Sequence, residues 1–85
     1  MTDILHITCY GTAHCHLCEQ AEQMLQQLAQ QFACLIDTVD ISSDDALLEA
    51  YQTSIPVVYF ADFQQTLAWP FSYHDLLNVV RQHRL

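Results

Sequence analysis

The sequence predicts one α/β domain, with four strands in a single mixed sheet and helices on both of its faces. Three observations carry this expectation. Ile4 to Tyr10 and Val57 to Phe60 are short apolar runs rich in β-branched and aromatic residues, the pattern of buried strands. From Leu17 to Phe32 the apolar positions recur at helical spacing. Ser72 and Asp75, three residues apart, resemble a capping box ahead of a further apolar-periodic stretch.

In chain order, the first strand ends at Gly11-Thr12, a turn signal. The helix that follows presents Leu17, Ala21, Met24, Leu25, Leu28 and Phe32 as one stripe, with Gln and Glu residues on its solvated side. Ala33 to Ile41 reads as the second strand. Ser42-Ser43-Asp44-Asp45 supplies an N-cap and an acidic first turn for a short helix through Tyr51. Thr53-Ser54-Ile55-Pro56 punctuates the chain before the third strand, Val57 to Phe60. Asp62 to Gln65 makes a turn, and Thr66 to Trp69 is the fourth strand. After Pro70 the last helix runs to about Arg84, with Leu76, Leu77 and Val80 inward and Arg81 and Arg84 in its final turns, where cations suit the helix dipole. The order βαβαββα joins two parallel strands by a crossover helix, then adds an antiparallel hairpin and a closing helix. Continuous apolar strands fit a sheet covered on both sides.

Composition narrows the function. A chain of 85 residues holds one core, so residues 1–85 form one domain. Hydrophobic residues make up 52% and charged residues 14%, which places it among folded domains and not disordered tails. Gly11 is the sole glycine, so a phosphate loop or dinucleotide fingerprint is excluded. Ten acidic residues face two basic ones, and a formal charge of −8 repels phosphate backbones and anionic lipid. Partners are expected among neutral or basic proteins and small molecules, with no nucleic acid and no membrane. The first residues, Met1 to His6, carry no signal-peptide pattern, so a cytoplasmic, soluble monomer is the default expectation.

The chemistry concentrates at Cys15-His16-Leu17-Cys18. This pair opens the long helix, where unpaired backbone N–H groups and the positive dipole end favour a thiolate. The pKa of Cys15 is expected below the free-thiol value of roughly 8.5. A three-residue step lets both sulfurs meet on one turn. Cys15, nearer the helix end, is the expected attacking thiol and Cys18 the resolving one. His14 and His16 flank Cys15 and, if protonated, add to thiolate stabilisation. The bland alternative for both is a solvated loop histidine. Glu19 opposes a thiolate on Cys18. Zinc sites use the same Cys-x-x-Cys spacing, but only Cys15, Cys18, His14 and His16 lie together, and consecutive ligands on one tight turn rarely surround a tetrahedral ion. No metal and no cofactor are expected. Cys9 alternates with Leu5 and Ile7 and is expected to face the core, as is Cys34.

Taken together, the strand, the Cys-x-x-Cys helix and an Ile-Pro just before the third strand resemble the thioredoxin fold, and within it the glutaredoxin-like group. The segment Gly11 to Ala21, Ile55-Pro56-Val57-Val58 and Trp69-Pro70-Phe71 are similar to a small bacterial glutaredoxin-like family with His-Leu between its cysteines. The likeness spans nearly the whole chain. It implies a cis Pro56 beside the cysteine pair, with Ile55 offering its backbone N–H and C=O to a substrate strand. It implies thiol–disulfide oxidoreductase activity at a redox-active disulfide and a part in cell redox homeostasis. Glutaredoxins hold the glutathione carboxylates with basic side chains near the motif and with a Gly-Gly-x-Asp-type turn. Here those places read Ala13-His14 and Trp69-Pro70-Phe71-Ser72, which puts efficient glutathione use in doubt. The Gly-Pro dipeptide of thioredoxins is absent as well. The competing expectation is a thioredoxin-fold binding module without redox turnover, using Tyr10, Leu17, Ile55 and Trp69 as an apolar groove.

Overall fold

The structure, a computed structural model, describes residues 4–13 and 15–83. The elements are β1 (Leu5–Gly11), α1 (His16–Gln31), β2 (Cys34–Asp40), a 3₁₀ turn (Ile41–Ser43), α2 (Asp45–Tyr51), β3 (Val57–Phe60), β4 (Gln65–Ala68) and α3 (Tyr73–His83). The strands lie in the order β2-β1-β3-β4. β1 runs parallel to β2 and antiparallel to β3, and β4 pairs antiparallel with β3. This is the expected mixed sheet, with its one parallel pair bridged by α1.

Alternation along β1 assigns the two faces. Leu5, Ile7 and Cys9 point into a core shared with Ala21, Leu25 and Leu28 of α1 and with Leu76, Val79 and Val80 of α3. Val58 and Phe60 of β3 join the same layer. Truncating a fully buried residue such as Leu25 to Ala would cost about 2–5 kcal/mol. The opposite face takes Tyr10, whose ring packs at 5.1 Å on Tyr51 of α2. Near the start of β1 that face stays open, with His6 exposed and Leu35 55% accessible.

Local signals account for most element ends. Asp44 caps α2, its carboxylate accepting from the N–H groups of Ala46 and Leu47. Ser42, within the expected capping stretch, donates instead to Asp40. Ser72 and Asp75 form the capping box of α3 in both directions, at 2.8 and 3.2 Å. The turn before β4 places Gln64 at φ 53°, the left-handed region.

Leu17 and Leu77 differ from the expected pattern, while Cys34 packs against the core as expected. Leu17 heads the predicted stripe of α1 but is 41% exposed; the inward position in that turn is Cys18. In α3 the inward residues are Leu76, Val79 and Val80, and Leu77 is only partly covered. Cys34 is half-buried against the core, because β2 is an edge strand covered less completely than β1. Arg81 lies in the last turn of α3 as expected, whereas Arg84 falls outside the described residues.

Candidate active site

β1 ends at Gly11, and a short connection leads to Cys15, the N-cap residue of α1, with extended backbone at φ −97° and ψ 107°. Cys15 Sγ accepts the Cys18 backbone N–H at 3.1 Å, and its carbonyl accepts from the Glu19 N–H at 3.1 Å. The sulfur therefore occupies the place a Ser or Asp oxygen takes in an ordinary N-cap, facing the unpaired donors of the first turn. Cys15 and Cys18 are joined as a disulfide, with Cα atoms 5.1 Å apart. That separation lies inside the range such a bond requires. Burial separates the two sulfurs' residues: Cys15 is half-buried, while Cys18 is 6% exposed.

Cys18 rests against Gly11. A β-carbon at position 11 would lie 2.7 Å from the Cys18 sulfur, so any side chain there has to displace Cys18. The sequence marks Gly11 as a turn signal; the structure adds its contact with Cys18. The parallel register also brings in a residue far along the chain, since Gly11 pairs with Asp40 at the end of β2. A cleft of about 250 Å³ opens here, lined by Cys9, Gly11, Cys18, Glu22, Thr38 and Asp40 among others. Asp40 carries no motif of its own, and only the strand register reveals its place; Glu22 follows Cys18 by one turn of α1.

Within this cleft the Cys9 thiol is pushed up to about 11, first by burial and then by the charge of Glu22. A thiol so held stays protonated and is a poor nucleophile at neutral pH. Among the described residues no group of three or more His, Cys, Asp or Glu side chains is placed to hold a metal ion. His16 is exposed and its Nδ1 stands 3.7 Å from the Glu19 carboxylate, a solvent-exposed contact of small energetic weight. His14 lies outside the described residues.

The same end of the sheet gathers part of the expected substrate surface. Tyr10 pairs with Val57, and Val57 with Ala68, so Gly11, Pro56 and Trp69 are the next residues on three neighbouring strands. The Trp69 N–H donates to the Pro56 carbonyl at 3.0 Å, which ties the third and fourth strands together there. The Ile55–Pro56 bond is cis, as the resemblance implied, and so is Trp69–Pro70, which no residue pattern announced. Trp69 is half-buried, its ring edge-on to Phe71 at 5.1 Å. Leu17 is exposed between the two cysteines.

Two of the expected substrate contacts are engaged within the fold. Tyr10 shares a face with α2, opposite Cys9 and Gly11, and its ring is committed to Tyr51. The Ile55 N–H is also engaged, donating to the Tyr51 carbonyl at 3.1 Å alongside the Ser54 N–H at 2.8 Å. The tight end of α2 turns these donors inward, which leaves the Ile55 carbonyl, and not its N–H, for a passing chain.

A model of the glutaredoxin-like domain family (DUF836) matches residues 6–81. The chain belongs to this family. The glutaredoxin-like domain is also similar to solved structures. The X-ray structure of structural-genomics target XcR50 from X. campestris shares 34% identity over 89% of this chain and 96% of that one, with a TM-score of 0.76. The solution structure of protein Ne2328 from Nitrosomonas europaea shares 22% identity, with 93% of both chains covered and a TM-score of 0.78. Thioredoxin 1 from Thermosipho africanus, at 18% identity and 92% coverage of both chains, has a TM-score of 0.72, a likeness of fold. No curated protein sequence matches. The thioredoxin-like fold and the Cys15–Cys18 pair together support a redox-type role for this glutaredoxin-like domain. Among the described residues no helix is long and apolar enough to cross a membrane.

Proposed function

We propose that this domain is a thiol–disulfide oxidoreductase of a reducing compartment such as the cytosol, working through Cys15 and Cys18. One observation carries the reading. The two cysteines are within bonding reach at the start of α1, the outer one capped by a backbone N–H and the inner one buried. A pair meant only as a structural staple has no need of a helix N-terminus or of such unequal exposure.

In the reduced protein, the Cys15 thiolate attacks one sulfur of a substrate disulfide. A Cys15–substrate disulfide forms, and the other substrate sulfur leaves as a thiolate that takes up a proton. Cys18 gives up its proton, attacks the Cys15 sulfur and expels the second substrate thiolate. Two electrons pass from the protein dithiol to the substrate, and the Cys15–Cys18 disulfide remains. Run backwards, the same steps oxidise a substrate dithiol. The Cys18 N–H that reaches Cys15 Sγ favours the thiolate, and Gly11 lets Cys18 approach closely enough to resolve the intermediate.

Single variants test the assignment of roles. Reduced Cys18→Ser protein, mixed with a model peptide disulfide, is expected to accumulate the Cys15 mixed disulfide, visible by intact mass. Cys15→Ser protein is expected to accumulate almost none. Equal trapping at both positions, or at neither, would overturn the proposal.

A further inference from the structure

We infer that the substrate disulfide of this pair is cationic, carried by a peptide or protein whose cysteines are flanked by Lys or Arg. The inference rests on the oxidoreductase reading above and adds the chemical class of its substrate. Two independent features of the site lead to it.

The first is the distribution of charge along the molecule. The end that carries Cys15 and Cys18 also carries Glu19 and Glu22 on the first two turns of α1. It carries Asp40 as well, paired in register with Gly11. All three side chains are exposed, and Glu22 and Asp40 line the cleft that reaches Cys18. Asp40 is kept ionised by the Ser42 hydroxyl at 2.6 Å and the Ser42 N–H at 2.9 Å, which hold its carboxyl below the usual carboxylate range. The chain has only two Lys and Arg residues to set against these, Arg81 and Arg84. α3 starts beside Pro56 and Trp69, so its rise carries Arg81 about 12 Å along the helix, away from the cysteines. Three carboxylates against the single exposed His16 leave the described residues of the site net negative. An anionic disulfide such as glutathione disulfide meets repulsion there, and a cationic one is drawn in.

The second feature is the state of the backbone. A peptide added as a strand beside Ile55 would use both its N–H and its C=O, but the N–H already serves Tyr51. Main-chain pairing is thus halved, and side-chain recognition has to supply what the ladder does not. The side chains on offer among the described residues include the exposed Leu17 and His16, the half-buried Trp69 and the three carboxylates. An apolar residue and a carboxylate rim suit a segment that alternates apolar and basic residues.

The test uses the reduced full-length protein and three synthetic peptide disulfides of equal length, with cysteine flanked by Lys, Gln or Glu, plus glutathione disulfide. Each exchange rate is divided by that of dithiothreitol on the same compound, which cancels differences in leaving-group reactivity. At low salt, about 10 mM, the Lys-flanked peptide is expected to react about tenfold or more faster than the Glu-flanked one, with glutathione disulfide among the slow substrates. At about 500 mM salt the ratio is expected to shrink to about twofold, as screening shortens the reach of the carboxylates. The Glu22→Gln, Asp40→Asn double variant is expected to lower the Lys-over-Glu ratio several-fold. Equal normalised rates for the three peptides, or a preference for the anionic ones, would overturn the inference while leaving the redox reading in place. Failure to exchange with any of them, with Cys15 and Cys18 never pairing, would overturn both.

Discussion

A β-carbon on Gly11 would stand 2.7 Å from the sulfur of Cys18 and 3.2 Å from its β-carbon. The last residue of β1 and the inner cysteine of α1 therefore define one another. The strand lets the buried sulfur come down onto its backbone because nothing projects from that backbone. Gly11 does not have a positive φ, so its role here is space and not conformational freedom.

Gly11→Ala isolates that space. The backbone accepts Ala, so the cost comes from moving Cys18 and is expected at about 1–3 kcal/mol, the usual penalty for overpacking. Urea unfolding of oxidised and reduced protein measures it. The variant should also close the Cys15–Cys18 ring more slowly after oxidation. Unchanged stability together with unchanged ring closure would show that Cys18 does not depend on Gly11.

Cys9 and Cys15 should differ sharply in reactivity. With its thiol raised from the ordinary value of 9.0 to about 11, Cys9 is protonated and buried at pH 8. Timed alkylation of the reduced protein, read by peptide mass spectrometry, should label Cys15 first and Cys9 only after denaturation. The linkage has a definite sign. A pKa raised by folding contributes stability that is present below about 9 and lost as pH rises through about 11. Cys9→Ala should therefore show a shallower alkaline loss of stability than the parent, whatever its stability at neutral pH.

Asp62 governs part of the acid limb. Its Oδ2 accepts the His6 backbone N–H at 2.7 Å, the main reason its carboxyl lies below the ordinary range, and the His6 ring stands 3.5 Å from Oδ1. A depressed carboxylate contributes stability above its unfolded pKa of about 4, and that contribution is lost as pH falls through the lower folded value. Asp62→Asn should flatten the stability profile below about pH 4. Thermal unfolding as a function of pH would reveal it; an acid limb identical to the parent's would contradict the assignment.

The capping box at Ser72 and Asp75 fixes the start of α3. Ser72→Ala and Asp75→Ala are each expected to cost about 1 kcal/mol, and the double variant less than the sum, because each side chain serves the other's backbone. Strict additivity by denaturant titration would argue against reciprocal capping.

This box also shows what the sequence discloses and why. Ser72 and Asp75 are three residues apart, so their bonding is written in local spacing; the same holds for the Cys15–Cys18 reach and the strand Val57–Phe60. Apolar periodicity was sufficient for the element order and the mixed sheet. Leu17 heads the apolar stripe yet stays exposed because Cys18 is also the apolar inward residue of its turn. Alternation counted from Cys9 turns Tyr10 toward α2, where its ring meets Tyr51. What stayed hidden depends on contacts between distant segments. The Gly11–Asp40 register and the Ile55 N–H bonded to Tyr51 arise only when the strands and α2 are set in space.

The central claim is that Cys15 and Cys18 form a working redox centre, and a redox titration tests it most directly. Purified protein would be equilibrated across defined dithiol/disulfide buffers, with Cys15–Cys18 pairing read by thiol alkylation and mass spectrometry. The account predicts one reversible two-electron transition confined to these two cysteines, with Cys9 remaining a thiol throughout. Cys15 and Cys18 staying unpaired across the whole range would contradict it.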